Sequence, residues 1–148
     1  MNILVANPRS IEFEDQLKQL IKLAGLMSAQ IGYVPAVEYR RQAKNGNLLF
    51  LMSGKLVVGF CNFNVRKRDG IGVIYEIATH PVVRGKGGGL MLVEQVLTKC
   101  EEIQLKCPVD NKSNGFYSRI GCKVGIEAGK KRPLNVWQIT TKTVKGIV

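Results

Sequence analysis

The residues best suited to chemistry lie between Val73 and Val96, where an apolar stretch meets a basic, glycine-rich loop. The apolar run stops at Pro81, and Arg84 and Lys86 follow among several glycines before apolar residues resume at helical spacing. This order predicts a strand, a turn and a helix. Glycines let the backbone approach a ligand, and the first N–H groups of a helix lack partners within it. Because the helix dipole and both cations favour negative charge there, the turn is predicted to bind phosphate.

Two common phosphate-binding motifs do not fit this loop. A nucleoside-triphosphate loop needs Gly-Lys followed by Ser or Thr, whereas Lys86 is followed by Gly87. A dinucleotide fingerprint needs Gly-x-Gly-x-x-Gly, but its sixth place is Leu90 when counted from Gly85 and Leu92 when counted from Gly87. A flexible glycine-rich loop without a ligand remains the alternative at this point.

The pattern Arg84-x-x-Gly87-x-Gly89 resembles the Arg/Gln-x-x-Gly-x-Gly/Ala signature of the GNAT superfamily of N-acetyltransferases. The resemblance implies that the loop holds the pyrophosphate of acetyl-CoA, which would be the acyl donor. The residues implied in this contact are Arg84, Gly85, Lys86, Gly87, Gly88 and Gly89.

The rest of the chain predicts further strands and helices. Strands are expected at Asn2–Ala6, Leu48–Met52, Leu56–Val65, Ile71–Thr79, Ile103–Val109, Cys122–Glu127 and Leu134–Thr140. Helices are expected from Ile11 to about Ala24 after a Ser10 cap, at Pro35–Lys44, from Gly88 to about Glu101, and from a Ser113 cap to Arg119, with Gly121 in the C′ position. The order β α α β β β α β α β β is similar to that of the GNAT (acyl-CoA N-acyltransferase) fold. We therefore expect an α/β fold with a mixed, mostly antiparallel sheet, as one domain over residues 1–148.

Glu76 is the best carboxylate for a general base. Acetyl transfer needs a neutral amine, and alkyl amines have an ordinary pKa of about 10, so a proton must be removed. Many GNAT proteins carry an acidic residue at the corresponding place. On an alternating strand Glu76 shares a face with Ala78 and His80, and the alternative role is a polar contact on a solvated face. His80 is less favoured as a proton shuttle. By the family plan Tyr33, Tyr39 and Arg40 would lie near the substrate, with ordinary packing as the alternative.

The resemblance also implies groups that act on the thioester. Backbone N–H groups of Ile77, Ala78 and Thr79 would face its carbonyl oxygen, where negative charge develops. The segment from Asn111 to Gly121 resembles the second conserved segment of the family, in which a tyrosine protonates the leaving sulfur. Tyr117 is therefore the candidate acid, and packing of its ring on the sheet is the alternative.

In the same segment of the family an asparagine contacts the pantetheine arm. The commonest spacing places this asparagine seven residues before the tyrosine, where the chain has Asp110. Asn111 stands six residues and Asn114 three residues before Tyr117. The grouping Asn-x-Phe-Tyr is similar to a subgroup in which Asn114 would be the match, so both asparagines remain candidates.

Composition limits location and partners. The chain has 148 residues, 45% hydrophobic and 22% charged, with no apolar run long enough for a membrane span and no signal-peptide pattern at its start. Its four cysteines lack Cys-x-x-Cys spacing and its only histidine is His80, so we expect no metal and reduced thiols in a cytoplasmic protein. We expect a monomer or a homodimer.

A net charge of +11 favours anionic partners. The clusters Arg66-Lys67-Arg68 and Lys130-Lys131-Arg132 are candidate contacts for nucleic acid or an acidic protein, with a solvated basic surface as the alternative. The leading interpretation is an acetyl-CoA-dependent N-acetyltransferase with direct transfer in a ternary complex. Its acceptor is expected to be a protein or peptide amine or an aminoacyl group on RNA, and the closing segment resembles small phage- or plasmid-borne members. The alternative is a non-catalytic GNAT-fold module that binds nucleic acid or a protein.

Overall fold

Seven strands form one sheet in a computed structural model that describes residues 1–27 and 34–146. The strands are β1 (Asn2–Val5), β2 (Leu48–Ser53), β3 (Leu56–Val65), β4 (Gly72–Thr79), β5 (Glu102–Pro108), β6 (Cys122–Glu127) and β7 (Leu134–Thr140). The helices are α1 (Phe13–Leu26), α2 (Ala36–Lys44), α3 (Gly88–Val96), α4 (Asn114–Ile120) and α5 (Thr141–Val144). The expectation for Tyr33 lies outside the described residues.

The strand order is β1-β2-β3-β4-β5-β7-β6. The pairs β1–β2, β2–β3, β5–β7 and β6–β7 are antiparallel, and β4 pairs with β5 in parallel through Gly72 with Ile103 and Val73 with Gln104. The predicted mixed, mostly antiparallel sheet and the predicted order of elements are confirmed, and the short helix α5 is an addition. Among the helices described, none has the length and hydrophobicity needed to cross a membrane.

Contacts between Cα atoms divide the chain into two compact units. The first unit comprises Met1–Asn64 and Tyr75–Gln95, and the second comprises Val65–Ile74 and Val96–Val148. A single domain over residues 1–148 stays a prediction.

The core of the first unit lies between α1, α2 and the sheet. The apolar stripe of α1, including Leu17, Leu20 and Leu23, is buried. The helix begins at Phe13, and the predicted Ser10 cap is wrong: Ser10 lies in a turn in which its N–H donates to the carbonyl of Asn7 at 3.0 Å. The carbonyl of Ser10 then accepts from the N–H of Phe13 at 3.3 Å, so the chain enters the helix through backbone bonds instead of a side-chain cap.

The second unit is built on β5, β7 and β6. Alternate residues of β5 and β7, such as Leu105 and Ile139, are buried, as period-two patterning requires. Gly121 directly follows the last residue of α4, where the sequence predicted the end of the helix, and its φ of -145° is extended. Glycine is needed there for space instead: a Cβ atom would lie 2.7 Å from the carbonyl oxygen of Gln138. Helix α3 also ends at Val96 and not near Glu101, because the chain turns where Lys99 donates to the Val96 carbonyl at 2.9 Å.

Candidate active site

The glycine-rich loop connects β4 to α3 within the first unit. It starts with a 3-10 turn at Pro81–Val83, and the Nδ1 atom of His80 accepts from the N–H of Val82 at 3.1 Å. The N–H of His80 donates to the carbonyl of Val58 at 2.7 Å, which ties the end of β4 to β3. His80 therefore has a structural role at the entrance to the loop.

Two glycines give the loop its shape. Gly85 has a φ of +80° and Gly87 a φ of +83°, values that side chains other than glycine rarely adopt. Their surroundings are open, so conformation and not space requires glycine at both positions. At Gly88 the reason is space, because a Cβ atom would lie 2.5 Å from the Cδ2 atom of Leu51. The start of α3 therefore packs directly on β2.

The loop presents backbone donors at the positive end of a helix dipole. In the described part of the chain, the amides of Gly87, Gly88 and Gly89 have no backbone acceptor, whereas the N–H of Met91 already donates to the carbonyl of Gly87 at 3.0 Å. Such amides, together with the dipole, favour an anion at this place. The arrangement is suited to a phosphate group.

Arg84 adds a positive charge beside these amides. Its Nη2 atom lies 3.2 Å from the Sδ atom of Met27, at the end of α1. A thioether is a weak acceptor, so this contact orients the guanidinium without neutralising it. Lys86 is exposed on the same loop. Both predicted cations thus accompany the glycines.

Glu76 lies inside the protein, on the inward face of β4. Ile74, Glu76 and Ala78 are buried in alternation with the exposed Tyr75, and only 4% of Glu76 is accessible. The alternative of a contact on a solvated face is therefore wrong. The amides of Ile77, Ala78 and Thr79 follow Glu76 on the same strand. They come after Gly72 and Val73, the two residues of β4 that pair with β5.

Both carboxylate oxygens of Glu76 accept hydrogen bonds from buried side chains. The hydroxyl of Tyr39, on α2, donates to Oε2 at 3.0 Å, and the Nδ2 atom of Asn62, on β3, donates to Oε1 at 3.0 Å. Behind them the Nε2 atom of Gln42 donates to Oδ1 of Asn62 at 2.7 Å and to the carbonyl of Phe63 at 2.8 Å. We call Tyr39, Gln42, Asn62 and Glu76 the buried polar chain.

Burial and hydrogen bonding act on the pKa of Glu76 in opposite directions. Burial raises the pKa of the carboxyl group above its ordinary value, and the hydrogen bonds from Asn62 and Tyr39 offset part of this rise. Burial and the neighbouring carboxylate also raise the pKa of Tyr39, so its phenol keeps its proton and remains a donor. A carboxylate held this way is a stronger base than an exposed one.

The expectations for the residues of α2 have different outcomes. Tyr39 is almost fully buried and packs edge-on against Phe60, with ring centroids 5.9 Å apart, in addition to its bond to Glu76. Arg40 is exposed and pairs with Glu14 of α1, Nη2 to Oε2 at 2.9 Å. Sequence reasoning missed Asn62 and Gln42, although an asparagine within the apolar run of β3 was a signal of a buried polar partner.

Tyr117 lies on α4 in the second unit and is 7% exposed. Its ring contacts Phe116 and Trp137, with centroids 5.5 Å and 6.3 Å away. Ser113 occupies the N-cap position of α4, as predicted, but its side chain makes no capping bond. Instead the N–H of Ser113 donates to the Oδ1 atom of Asn111 at 2.8 Å and fixes the turn before the helix.

Asn114 joins the loop before α4 to β7. Its Nδ2 atom donates to the carbonyls of Pro108 and Asn111, both at 2.8 Å. Its Oδ1 atom accepts from the Nδ2 atom of Asn135 at 3.1 Å and from the Nε1 atom of Trp137 at 2.9 Å. The side chain of Asn114 is thus engaged within the protein at both ends.

The predicted site residues fall into two sets. Glu76, the strand segment 77–79 and the loop 84–89 lie in the first unit, and Asn111, Asn114 and Tyr117 lie in the second. Over residues 1–27 and 34–146, no three His, Cys, Asp or Glu side chains form a group able to hold a metal ion.

Comparison with known proteins gives a family match. The model of the acetyltransferase (GNAT) family matches residues 15–122. No curated protein sequence matches the chain significantly.

Solved structures resemble the chain over nearly its whole length. An aminoglycoside 6'-N-acetyltransferase complexed with coenzyme A has a TM-score of 0.77 and 14% identity, covering 95% of this chain and 97% of that one. Ard1 from Thermoplasma volcanium has a TM-score of 0.75 and 13% identity, covering 94% and 96%. The NatC complex bound to Gag peptide and CoA has a TM-score of 0.68 and 18% identity, covering 95% and 99%. At these identities the likeness shows the fold.

Proposed function

The chain belongs to the acetyltransferase (GNAT) family and is an acetyl-CoA-dependent N-acetyltransferase, and we propose that it transfers the acetyl group directly to a primary amine in a ternary complex. The observation that carries the proposal is one continuous segment of the first unit. In it a buried carboxylate on β4 is followed by a loop whose glycine amides lie at the N-terminus of helix α3. This segment supplies a base and an anion site close together along the chain.

The loop holds the acyl donor. The N–H groups of Gly85, Gly87, Gly88 and Gly89 donate hydrogen bonds to the pyrophosphate of acetyl-CoA, and the side chains of Arg84 and Lys86 contribute charge. The N–H groups of Ile77, Ala78 and Thr79 are proposed to stabilise the carbonyl oxygen of the thioester as negative charge develops on it. Support for this role is their position on β4 between Glu76 and the loop.

Glu76 acts as the general base. The amine nitrogen attacks the carbonyl carbon, and its proton passes to the carboxylate as the C–N bond forms. Because Glu76 is 4% exposed, we propose that the proton reaches it through a water molecule. Tyr39 and Asn62 are positioning residues that hold the carboxylate in place.

Tyr117 acts as the general acid. The C–S bond breaks when the tetrahedral intermediate collapses, and the departing thiolate has an ordinary pKa of about 8.5. The phenol of Tyr117 donates its proton to this sulfur. Contacts with Phe116 and Trp137 support the role because they fix the ring. For the pantetheine arm Asn111 and Asn114 both stay candidates, since the Oδ1 atom of Asn111 accepts from the N–H of Ser113 and both ends of the Asn114 amide are bonded within the protein.

The acceptor is proposed to be a protein or peptide amine or an aminoacyl group on RNA. A net charge of +11 opposes the approach of polycationic acceptors such as polyamines. The same charge favours acceptors attached to an anionic carrier.

Labelled acetyl-CoA tests the proposed function. The protein is incubated with fractions of a cell lysate that contain proteins, peptides or aminoacyl-RNA, and the acetylated fraction is identified. We expect wild type to label one class, with loss of at least about 100-fold in Glu76→Gln and Tyr117→Phe. Binding of CoA without transfer to any fraction would instead support the non-catalytic module, and unchanged transfer by Glu76→Gln would remove Glu76 from the mechanism.

A further inference from the structure

The positive charge of the protein is concentrated in its second unit. This unit carries thirteen Lys and Arg residues against five Asp and Glu, a net charge of +8, whereas the first unit carries nine against six. The phosphate-binding loop lies in the first unit, so acetyl-CoA does not account for this excess. The excess points to a second anionic partner.

Most acidic side chains of the second unit are already paired. Asp69 bonds to Arg66 at 2.9 Å, Glu127 to Lys106 at 2.7 Å and Asp110 to Arg132 at 3.0 Å. Glu102 accepts instead from the amides of Gln104 and Gln138. Eight exposed cations of the second unit have no ion pair with any described residue. Two of them, Lys67 and Lys123, lie on the β3–β4 turn and on β6. We call the other six the basic face: Lys112, Arg119, Lys130, Lys131, Lys142 and Lys145.

The elements that carry the basic face are joined to one another. Helix α4 contacts β6, β7 and α5, so Arg119 and the two lysines of α5 and its end lie on connected elements. At the other end of β7, the bond from Arg132 to Asp110 ties the β6–β7 turn to the loop that carries Lys112. The N–H of Val109 also donates to the carbonyl of Pro133 at 3.2 Å. The seven residues of β7 therefore separate two cationic groups by about 20 Å. One group is Arg119, Lys142 and Lys145, and the other is Lys112, Lys130 and Lys131.

We propose that the basic face binds the phosphate backbone of a nucleic acid. Five of its six residues are lysines, which are point charges suited to phosphate, and protein interfaces are depleted in lysine. The aromatic residues of this unit, Phe116, Tyr117 and Trp137, are buried or half-buried, so bases find no exposed ring to stack on. Recognition is therefore electrostatic and independent of base sequence. A single nucleic-acid strand that runs along the basic face from one cationic group to the other would place phosphates beside both groups.

The inference does not depend on acetyl transfer, and salt dependence tests it. Binding of a labelled single-stranded RNA of about 20 nucleotides is measured by fluorescence anisotropy between about 50 and about 200 mM salt. If four of the six cations engage phosphates, the slope of log K against log salt is about -3, an affinity loss of about 50-fold over this range.

Charge-reversal variants locate the contact. We expect Lys130→Glu with Lys131→Glu, and Lys142→Glu with Lys145→Glu, each to weaken RNA binding at least about tenfold at the lower salt and to flatten the slope by about 1.4. The matched control is Lys22→Glu with Lys55→Glu, two exposed lysines of the first unit, which changes net charge equally. The control should lose no more than about threefold.

Three results would overturn the proposal. Equal loss in the control would mean that only net charge matters, and a slope near zero would mean that phosphates are not contacted. Competition by polyglutamate as effective as that by RNA, or tighter binding to vesicles of anionic lipid, would assign the face to another partner. Calorimetry with coenzyme A on the same variants should give the wild-type affinity. A failure of the RNA-binding proposal can therefore be told apart from a failure of the proposed acetyl-CoA site.

Discussion

At the scale of single residues, the carboxylate of Glu76 is the most informative group. It is buried, and its two oxygens accept from two different elements, α2 and β3. Tyr39 stands 37 residues before Glu76 in the sequence, so no local pattern predicts this contact. The sequence did identify the carboxylate, because its place on the strand before a glycine-rich loop follows from type and spacing. It could not supply the environment that sets its pKa.

Removing the Tyr39 hydroxyl should shift the pH profile of catalysis. Tyr39→Phe deletes one of the two hydrogen bonds that favour the charged form of Glu76, so the pKa of Glu76 rises further. The acidic limb of kcat/KM should therefore move to higher pH, with a nearly unchanged plateau. The control is Tyr75→Phe, which alters an exposed tyrosine of the same strand. An acidic limb that stays in place would show that Glu76 is not the titrating base.

Burial of the Glu76 carboxylate should also make the free energy of unfolding depend on pH. The pKa of Glu76 is raised by folding, so its favourable contribution is complete below the unfolded pKa and is lost as pH rises through the folded pKa. The free energy of unfolding of wild type relative to Glu76→Gln should therefore fall as pH rises above about 4, the ordinary pKa of a glutamate. Urea unfolding at several pH values measures this difference. A difference that grows with pH would mean that the hydrogen bonds outweigh burial.

At the scale of elements, the loop before α3 depends on glycine for two separate reasons. Gly87 needs its positive φ, and Gly88 needs the absence of a side chain next to Leu51. The sequence predicted a helix start here, and the ends of β3, β6 and β7 agree with their sequence patterns. It missed the 3-10 turn at Pro81–Val83 and could not show that Gly121 is needed for space beside Gln138, because close approach between segments distant in sequence decides such positions.

A single methyl group at Gly87 should weaken the donor site. Gly87→Ala places alanine at a φ of +83°, which costs about 1–2 kcal/mol unless the loop changes shape. Coenzyme A affinity should fall about 5- to 30-fold by calorimetry. Gly25→Ala is the matched control, since Gly25 lies in α1 with open space around it and alanine favours helix. Equal affinities in wild type and Gly87→Ala would separate the loop from coenzyme A.

The hydrogen bonds of the Asn114 side chain should stabilise the second unit. Asn114→Ala leaves the Trp137 indole N–H and the Asn135 amide without their acceptor, and two carbonyls lose a donor. The free energy of unfolding should decrease by about 2–4 kcal/mol in urea. Trp137→Phe breaks one of these bonds and keeps most of the packing, so it should cost less. A cost below about 0.5 kcal/mol for Asn114→Ala would show that water replaces the anchor.

At the scale of the whole molecule, charge and family membership point to different partners. The family match identifies the acyl donor, and the loop of the first unit is its proposed site. The net charge of +8 in the second unit points to a phosphate backbone. The sequence predicted the total charge and both basic clusters. It could not predict their distribution, because pairing of Arg132 with Asp110 and of Lys106 with Glu127 depends on the fold.

Because both proposed ligands are anionic, ionic strength should weaken both. Acetyl-CoA affinity should fall with added salt, but less steeply than RNA affinity, since the loop contributes only Arg84 and Lys86 beside uncharged amides. Parallel titrations of the two ligands over the same salt range measure the two slopes. A steeper slope for acetyl-CoA would contradict the assignment of phosphate contacts to the basic face.

The most direct test of the central claim is calorimetric titration of acetyl-CoA into wild type, Arg84→Ala and Gly87→Ala. The loop before α3 is proposed to hold the pyrophosphate, so wild type should bind one equivalent and both variants should bind at least about fivefold more weakly. Absence of heat in wild type, or three identical isotherms, would contradict the claim that this loop binds the acyl donor.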